Sequence, residues 1–342
     1  MDRADQKTGS ALREKGFIMA DAKVKRIGVL TSGGDAPGMN AAVRSIVRSG
    51  IHAGFEVYGV RRGYKGLLEG EISSMGTRDV AEILHKGGTV LMTARSKEFM
   101  QKAGQKKAKE MMDAYGLDAL IVIGGDGSFR GALDLSEYGV PVIGIPATID
   151  NDVASSEYSI GFDTAMNTAL DAIDRIRDTS SSHERCSVIE VMGRNAGYIA
   201  LGVGVSCGAE VILIPEVKYD LDKDVYRVIL EGRNIGKHHY IVVVAEGAGS
   251  AIELAKKIED FTGIETRPTV LGYLQRGGSP TVRDRVTASL MGIKAIECLS
   301  KGKTGRLIVV KDGRIKDIDI AKGIAEKKTI DPEELRKTKE LF

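Results

Sequence analysis

The run PATIDND, residues 146–152, sets two carboxylates, Asp150 and Asp152, two positions apart behind a short apolar stretch and a proline. In an extended chain, side chains at i and i+2 point to one face, which would gather both acids near Thr148. Like charges that close raise one pKa, and the result is a base able to take a proton from an alcohol near neutral pH. A solvated Asx-type loop accounts for the same residues equally well, so the run by itself leaves both readings open.

Two further runs bring glycine to strand ends: TSGGDAPG at 31–38 and GGDGS at 124–128. Glycine lets backbone N–H groups close on phosphate oxygens, and a following helix adds its positive end. Tight turns alone also use glycine, but two such loops, each holding an aspartate, favour an anion. No G-x-x-x-x-G-K-[ST] occurs, since GKT at 302–304 lacks its leading glycine, and neither loop matches G-x-G-x-x-G, which counts against a dinucleotide. Phosphate bound without a loop lysine calls for a divalent cation, and Asp126 is the natural ligand, its alternative being a bond to its own turn. Arg95, Arg185, Arg194, Arg267 and Arg276 sit at or just beyond expected element boundaries, where arginines suit bidentate capture of phosphoryl oxygens. Most single arginines are solvated surface charges, so only their grouping argues for function.

These residues need a scaffold, and the rest of the 342-residue chain describes one. Hydrophobic residues at 42% and charged ones at 28% are those of a folded protein, and a formal net charge of +2 provides no long-range field for nucleic acid. Three unclustered cysteines, Cys186, Cys207 and Cys298, build neither a disulfide framework nor a zinc site, and a cytoplasmic location is expected. No apolar run approaches the roughly 20 residues that span a bilayer, and residues 1–22 read as a mobile extension without a signal peptide. The 42 glycines, roughly 12% of the chain against about 7% on average, cluster behind apolar β-branched runs. Such runs occur at 25–30, 56–60, 119–123, 140–145, 186–192, 209–216, 240–247, 269–274 and 306–310, continuous in the manner of parallel strands covered on both faces. The stretches between are long enough for crossover helices. From Asp163, Met166, Ala169, Leu170, Ile173 and Ile176 recur at helical spacing, opened by an acid and closed by arginines, and a last helix starts at Asp331 and Pro332. The fold class is α/β, and so many strands favour two doubly wound, Rossmann-like units with the site in the cleft between them. The expected division is 23–161 plus 275–325 for a larger nucleotide-binding domain and 162–274 plus 326–342 for a smaller sugar-phosphate domain.

Taken together and in order, IGVLTSGGDAPGMNAAVR, VIGGDGS, PATIDND, DTSSSHER, EVMGR and LQRGGSP resemble the bacterial 6-phosphofructokinase family, over residues 24 to about 325. The resemblance implies transfer of the γ-phosphoryl group of ATP to the 1-hydroxyl of fructose 6-phosphate, with Mg2+, in a homotetramer. It implies Asp150 as catalytic base with Thr148, Ile149 and Asp152 beside it, and Asp126 as the magnesium ligand. Gly34, Tyr64, Arg95, Ser96, Gly125, Gly127 and Ser128 fall at nucleotide positions, with Gly34, Arg95 and Arg194 also counted among the catalytic set. Met192, Gly193, Arg194, Glu246, Tyr273 and Arg276 fall at sugar-phosphate positions, and Arg185 and Arg267 match arginines that reach into a neighbouring subunit's site. An effector site for ADP or phosphoenolpyruvate is matched at Arg44, Arg48, Arg177, Glu210 and Lys237, with Thr77 where an arginine is expected and Arg78 beside it.

The chain departs from the family pattern at several places. Tyr273 stands where a histidine often contacts the sugar phosphate, Ser96 where an aromatic follows the loop arginine, and Met100 and Gln105 where two arginines are usual, with Lys102, Lys106 and Lys107 nearby. Pyrophosphate-dependent relatives carry a bulkier acid at the second glycine of GGDG and a lysine before the threonine of TIDND. Gly127 and Ala147 occupy those positions here, which favours ATP and leaves the pyrophosphate-dependent activity as the alternative.

Overall fold

Residues 24–341 are described by a computed structural model, so the expected N-terminal extension, 1–22, lies outside the described residues. The continuous apolar runs become strands because both of their faces are covered. In chain order the elements are β1 (Arg26–Thr31), α1 (Met39–His52), β2 (Glu56–Val60), α2 (Gly63–Glu69), β3 (Ile72–Ser74), α3 (Lys102–Ala114), β4 (Ala119–Gly124), α4 (Asp126–Glu137) and β5 (Val142–Pro146). They continue with α5 (Phe162–Ser182), β6 (Cys186–Val191), α6 (Tyr198–Cys207), β7 (Val211–Leu213), α7 (Arg227–Asn234), β8 (Tyr240–Ala245), α8 (Ala251–Thr262) and β9 (Thr266–Val270). The chain ends with α9 (Val282–Ser300), β10 (Arg306–Lys311), β11 (Arg314–Asp319), α10 (Ile320–Ala325) and α11 (Pro332–Thr338).

Two sheets result, a seven-stranded one in the order β11-β10-β5-β4-β1-β2-β3 and a four-stranded one in the order β7-β8-β6-β9. The strand β4 shows why no polar residue alternates in such a run: Ala119, Ile121 and Ile123 enter one core while Leu120 and Val122 enter the other. One core extends from Ile27 and Val29 of the large sheet to Ile189 and Val191 of the small one, passing through Ala165, Ala169 and Ile173 of α5. That helix is therefore the spine that fixes one sheet against the other. Its start is held from a distance: the fully buried Asp284 of α9 accepts the N–H groups of Gly161 at 2.7 Å and Thr164 at 2.9 Å. Among the described residues no helix is long and apolar enough to cross a membrane.

Several expectations are corrected. The large sheet is mixed, because the short β3 and the late β11 pair antiparallel at its edges. The apolar run at 269–274 is not a strand throughout: β9 starts earlier, and Gly272, at φ 50°, turns the chain into a 3₁₀ segment, Gly272–Arg276, that leaves Tyr273 and Leu274 exposed. The run at 209–216 shortens to three paired residues ahead of Pro215, which has no N–H for a ladder. Arginines do not close α5, which continues past Arg177 to Ser182; Ser181 and Ser182 instead donate to the Asp178 carbonyl at 3.0 Å each.

Candidate active site

In the large sheet the crossover from β1 runs to β2 and that from β4 runs to β5, on opposite sides of the adjacent pair β4-β1. The crevice at such a switch point is where α/β sheets bind ligands, and both glycine loops open into it. They touch: Ser32 N–H donates to Ile123 O at 2.9 Å, and a Cβ on Gly124 would lie 2.4 Å from Ser32 O and 2.5 Å from Ser128 Oγ. Glycine is therefore required at 124 for the backbones to approach. Gly125 leads into α4, whose first residue is Asp126, and Ser128 N–H donates to Gly125 O at 2.9 Å. The third loop joins through Ala147 N–H, which donates to Gly124 O at 2.8 Å. Tyr64 supports the second loop from beneath, donating its buried hydroxyl to Ser128 O at 2.6 Å.

The TIDND segment is a turn rather than an extended strand end, which corrects the geometry expected for it. Asn151 adopts φ 51°, a left-handed conformation that asparagine tolerates, and its side chain accepts from Ser159 N–H at 3.0 Å and donates to Glu157 O at 3.3 Å. Asp150 N–H donates to Thr148 Oγ1 at 3.2 Å, while Ile149 is buried in the core and offers a ligand only its backbone. The two acids still feel each other. Burial, then the neighbouring Asp152 charge, push Asp150 up to about 6, with Glu246 adding to the rise and Arg194 and Arg276 opposing it. Asp126 is raised as well, by burial first and then by Asp152.

Arg194, Glu246 and Arg276 arrive from the small sheet. There β6 and β8 are parallel neighbours whose crossovers pass each other, to β7 and to β9, and the loops behind them carry Met192–Arg194 and Glu246. Glu246 Oε1 accepts the N–H groups of Gly193 at 3.2 Å and Arg194 at 2.7 Å. Those bonds hold two unusual backbones, Gly193 at φ 138° and Arg194 at φ 59°. Positive φ at a residue such as arginine is strain that surroundings must over-determine, and Arg194 places it at the cleft. The fully buried Gln275 accepts Met192 N–H at 3.4 Å. Arg276 then crosses to the other side, donating from Nε to Asp35 O at 3.0 Å, and its guanidinium covers Gly34 so closely that a Cβ there would lie 1.8 Å from Nη2. Tyr273 is 78% exposed with its ring 5.8 Å from Arg276 Cζ.

Such a cleft joins an acid poised near neutrality, two glycine loops at helix starts and convergent arginines, the parts required for phosphoryl transfer to a hydroxyl. The sequence model of the family described as Phosphofructokinase matches residues 26–299. The chain belongs to the phosphofructokinase family. ATP-dependent 6-phosphofructokinase 1 of Clostridium perfringens is 55% identical over 308 residues, covering 90% of this chain and 96% of the relative. ATP-dependent 6-phosphofructokinase of Clostridium tetani is 56% identical over 302 residues, covering 88% and 94%. Phosphofructokinase of Pichia pastoris, solved in the T-state, superposes with a TM-score of 0.84 at 35% identity, covering 88% of this chain and 35% of that longer one.

Within this phosphofructokinase fold not every anticipated residue enters the cleft. Arg185 precedes β6 and Arg267 lies at the start of β9; both pair with Glu265, Arg185 at 2.9 Å, and hold its carboxyl below the usual range. They sit at the opposite end of the small sheet from Met192, about 20 Å away for six residues of strand. Arg177 donates to Cys207 O, and Lys237 pairs with Glu210 beside a cavity of about 450 Å³ that β7, α7 and α11 enclose. Arg44 and Arg48 lie on α1, beside the other sheet. The segment from Thr77 and Arg78 to Arg95 is irregular, pinned by Thr93 Oγ1 donating to Gly33 O at 2.7 Å, and Arg95 is exposed.

Sequence reasoning missed Phe99. Ser96 Oγ accepts Phe99 N–H at 3.2 Å, and the Phe99 ring stacks on Tyr64 at 4.0 Å, so an aromatic does follow Arg95, four positions on and buried. Gln105 is buried and bonded to Asp134 at 2.9 Å, whereas Met100 is exposed. It also missed Lys328, whose spacing gave no signal.

Proposed function

We propose that this protein transfers the γ-phosphoryl group of ATP to the 1-hydroxyl of fructose 6-phosphate, yielding fructose 1,6-bisphosphate and ADP, the committed step of glycolysis. The observation that carries the proposal is the seat of Asp150: a half-buried carboxyl raised to about 6, facing Arg194, Glu246 and Arg276 at the mouth of two glycine loops. Asp150 accepts the sugar hydroxyl proton as the oxygen attacks. Thr148 and Asp152 hold its turn and tune its basicity. The N–H groups around Gly34, Gly125 and Gly127 and the start of α4 receive phosphate oxygens, with Arg95 reaching them from the irregular segment. Met192, Gly193, Arg194, Glu246 and Arg276 bind the sugar phosphate.

Asp126 suits Mg2+, because its half-buried carboxyl faces a second acid and only Arg130 offsets it, and a divalent cation takes one or two carboxylates plus phosphate oxygens. An ion held by Asp126 would supply charge neutralisation to the phosphates of the bound nucleotide. The open space around Gly127 and the buried Ala147 support ATP as donor. Residues 23–161 plus 275–325 form the nucleotide half and 162–274 plus 326–342 the sugar half. The remote position of Arg185 and Arg267 supports a homotetramer in which these arginines complete a neighbour's site. The cavity beside Glu210 and Lys237, with Arg177 nearby and Arg44 and Arg48 from a neighbour, supports an effector site for ADP or phosphoenolpyruvate.

The deciding test is a coupled assay of purified protein with fructose 6-phosphate, comparing ATP with pyrophosphate, each with Mg2+. Turnover with ATP is expected. Turnover with pyrophosphate alone would reassign the donor, and none with either would overturn the proposal.

A further inference from the structure

Lys328 lies between α10 and α11, far along the chain from the acids, yet its ammonium is inside their turn. Nζ donates to Asn151 O at 2.8 Å and to Ser156 O at 2.9 Å. Both residues are buried, so these carbonyls have little access to water. Asn151 is the left-handed residue between Asp150 and Asp152, and its peptide orientation sets the direction of both acids. The other side of the ammonium rests on the Tyr198 ring at 4.8 Å, and Tyr198 opens α6 in the small-sheet half. Lysine stems and heads suit such double duty, since the cation is attracted to an aromatic face while its three donors take carbonyls.

We propose that Lys328 is a positioning residue for phosphoryl transfer: the segment behind α10 bolts the Asp150–Asp152 turn to α6 and so fixes Asp150 relative to the sugar half. This rests on the function proposed above. The charged groups around the lysine are Asp152 and Glu157, both favouring its cation, while burial lowers it to about 8. Around Tyr198 stand Glu216, Glu334 and Asp152, which raise the phenol further once burial has done so, to about 12. Around Asp150 stand Asp152, Glu246, Arg194 and Arg276. Glu157 is itself committed to the β10-β11 turn, accepting Asp312 N–H at 2.6 Å and Gly313 N–H at 3.2 Å, which leaves Asp152 as the cleft acid that Lys328 faces.

The test is Lys328→Met and Lys328→Arg in the full chain, read by kcat, KM and the pH profile with fructose 6-phosphate, ATP and Mg2+, and by amide hydrogen exchange over residues 148–158. Lys328→Met should lower kcat about 10- to 100-fold, as a small misplacement of a reacting group does. KM for fructose 6-phosphate should change less than about threefold, because the sugar-phosphate groups stay in place. With Asp152 no longer offset, the acidic limb of kcat should move to higher pH. Exchange over 148–158 should quicken, and Lys328→Arg should restore most of each value. Should Lys328→Met fail to fold, Lys328→Gln carries the same readouts. Unchanged kcat and unchanged exchange would overturn the proposal, as would a loss uniform across pH that arginine does not rescue. Inactive unmodified protein would instead sink the function itself, and the exchange comparison would then decide the role of Lys328 alone.

Discussion

The two sheets solve the same placement problem with opposite chemistry. Each places its loops at the ends of two adjacent parallel strands: β4 and β1 send their crossovers apart, whereas β6 and β8 send theirs past each other, to β7 and β9. At the first, an acid is left short of partners: among the described residues no group donates a hydrogen bond to the Asp150 carboxyl, and burial with Asp152 raises it to about 6. At the second, an acid is tied to the backbone: Glu246 Oε1 takes two N–H groups and holds Gly193 and Arg194 in shape. One crevice is built to react and the other to hold. A carboxylate's role thus follows from whether the backbone satisfies it, not from its position behind a strand.

The sharpest break comes from Asp150→Asn. As the proton acceptor its loss should lower kcat by about 10²- to 10⁴-fold with sugar-phosphate affinity kept, measured in the coupled assay. In the unmodified protein kcat should fall below pH about 6, where the carboxyl is protonated. Stability should move the other way. Because the folded-state value lies above the unfolded one, the folded chain binds the extra proton, so stability declines as pH rises through about 4 to 6 and the penalty is complete above that. Removing the charge should therefore raise stability at pH 7 by up to about 3 kcal/mol, read by denaturant unfolding. A variant that loses stability at pH 7 would contradict an unsatisfied acid.

Arg276 ties the crevices together, with Nε on Asp35 O at 3.0 Å and its guanidinium over Gly34. Arg276→Ala should reduce kcat/KM for fructose 6-phosphate about 10- to 100-fold, the worth of a charge-assisted contact to phosphate. A loss seen only in KM for ATP would place this arginine wholly on the nucleotide side and weaken the idea of a bridge.

Glu246→Ala is the counterpart of Asp150→Asn. It strands two N–H groups and frees a strained backbone, which costs about 1–3 kcal/mol of stability, with KM for fructose 6-phosphate raised. If both acids shift stability in the same direction, the contrast between a reacting and a holding carboxylate is wrong.

The same contrast explains what could be read from the chain beforehand. The large-sheet crevice was legible because its parts are local: apolar run, glycines and acid follow within a few residues, and only glycine meets the 2.4 Å approach at 124. The holding crevice was not, since Met192, Glu246 and Gln275 are ordinary residue types whose meaning comes from β6, β8 and the 3₁₀ segment converging; only the family resemblance pointed to Met192 and Glu246, and nothing singled out Gln275. Edge strands β3 and β11 escaped notice because exposed, mixed residues leave no apolar run. Phe99 and Lys328 were hidden for a related reason, as each acts across space from irregular chain where no period marks a face. The turn at Asn151 was misjudged as extended because the bonds that bend it, to Ser159, Glu157 and Lys328, come from residues that periodicity does not address.

The smallest expected effect tests whether the reacting crevice is shaped around a nucleotide or merely built of turns. Gly127 sits exposed in the first turn of α4, with ordinary backbone angles and nothing within 4 Å of where a Cβ would be. A structural glycine would have a positive φ or a close neighbour; this one has neither. Gly127→Ala should therefore stabilise the protein by about 0.4–1 kcal/mol by restricting the unfolded chain. The added methyl would project into the space assigned to the nucleotide, so KM for ATP should rise while KM for fructose 6-phosphate stays. A stabilised variant whose KM for ATP is unaltered would mean that phosphate does not approach this helix start, and the loop's glycines would revert to turn-making alone.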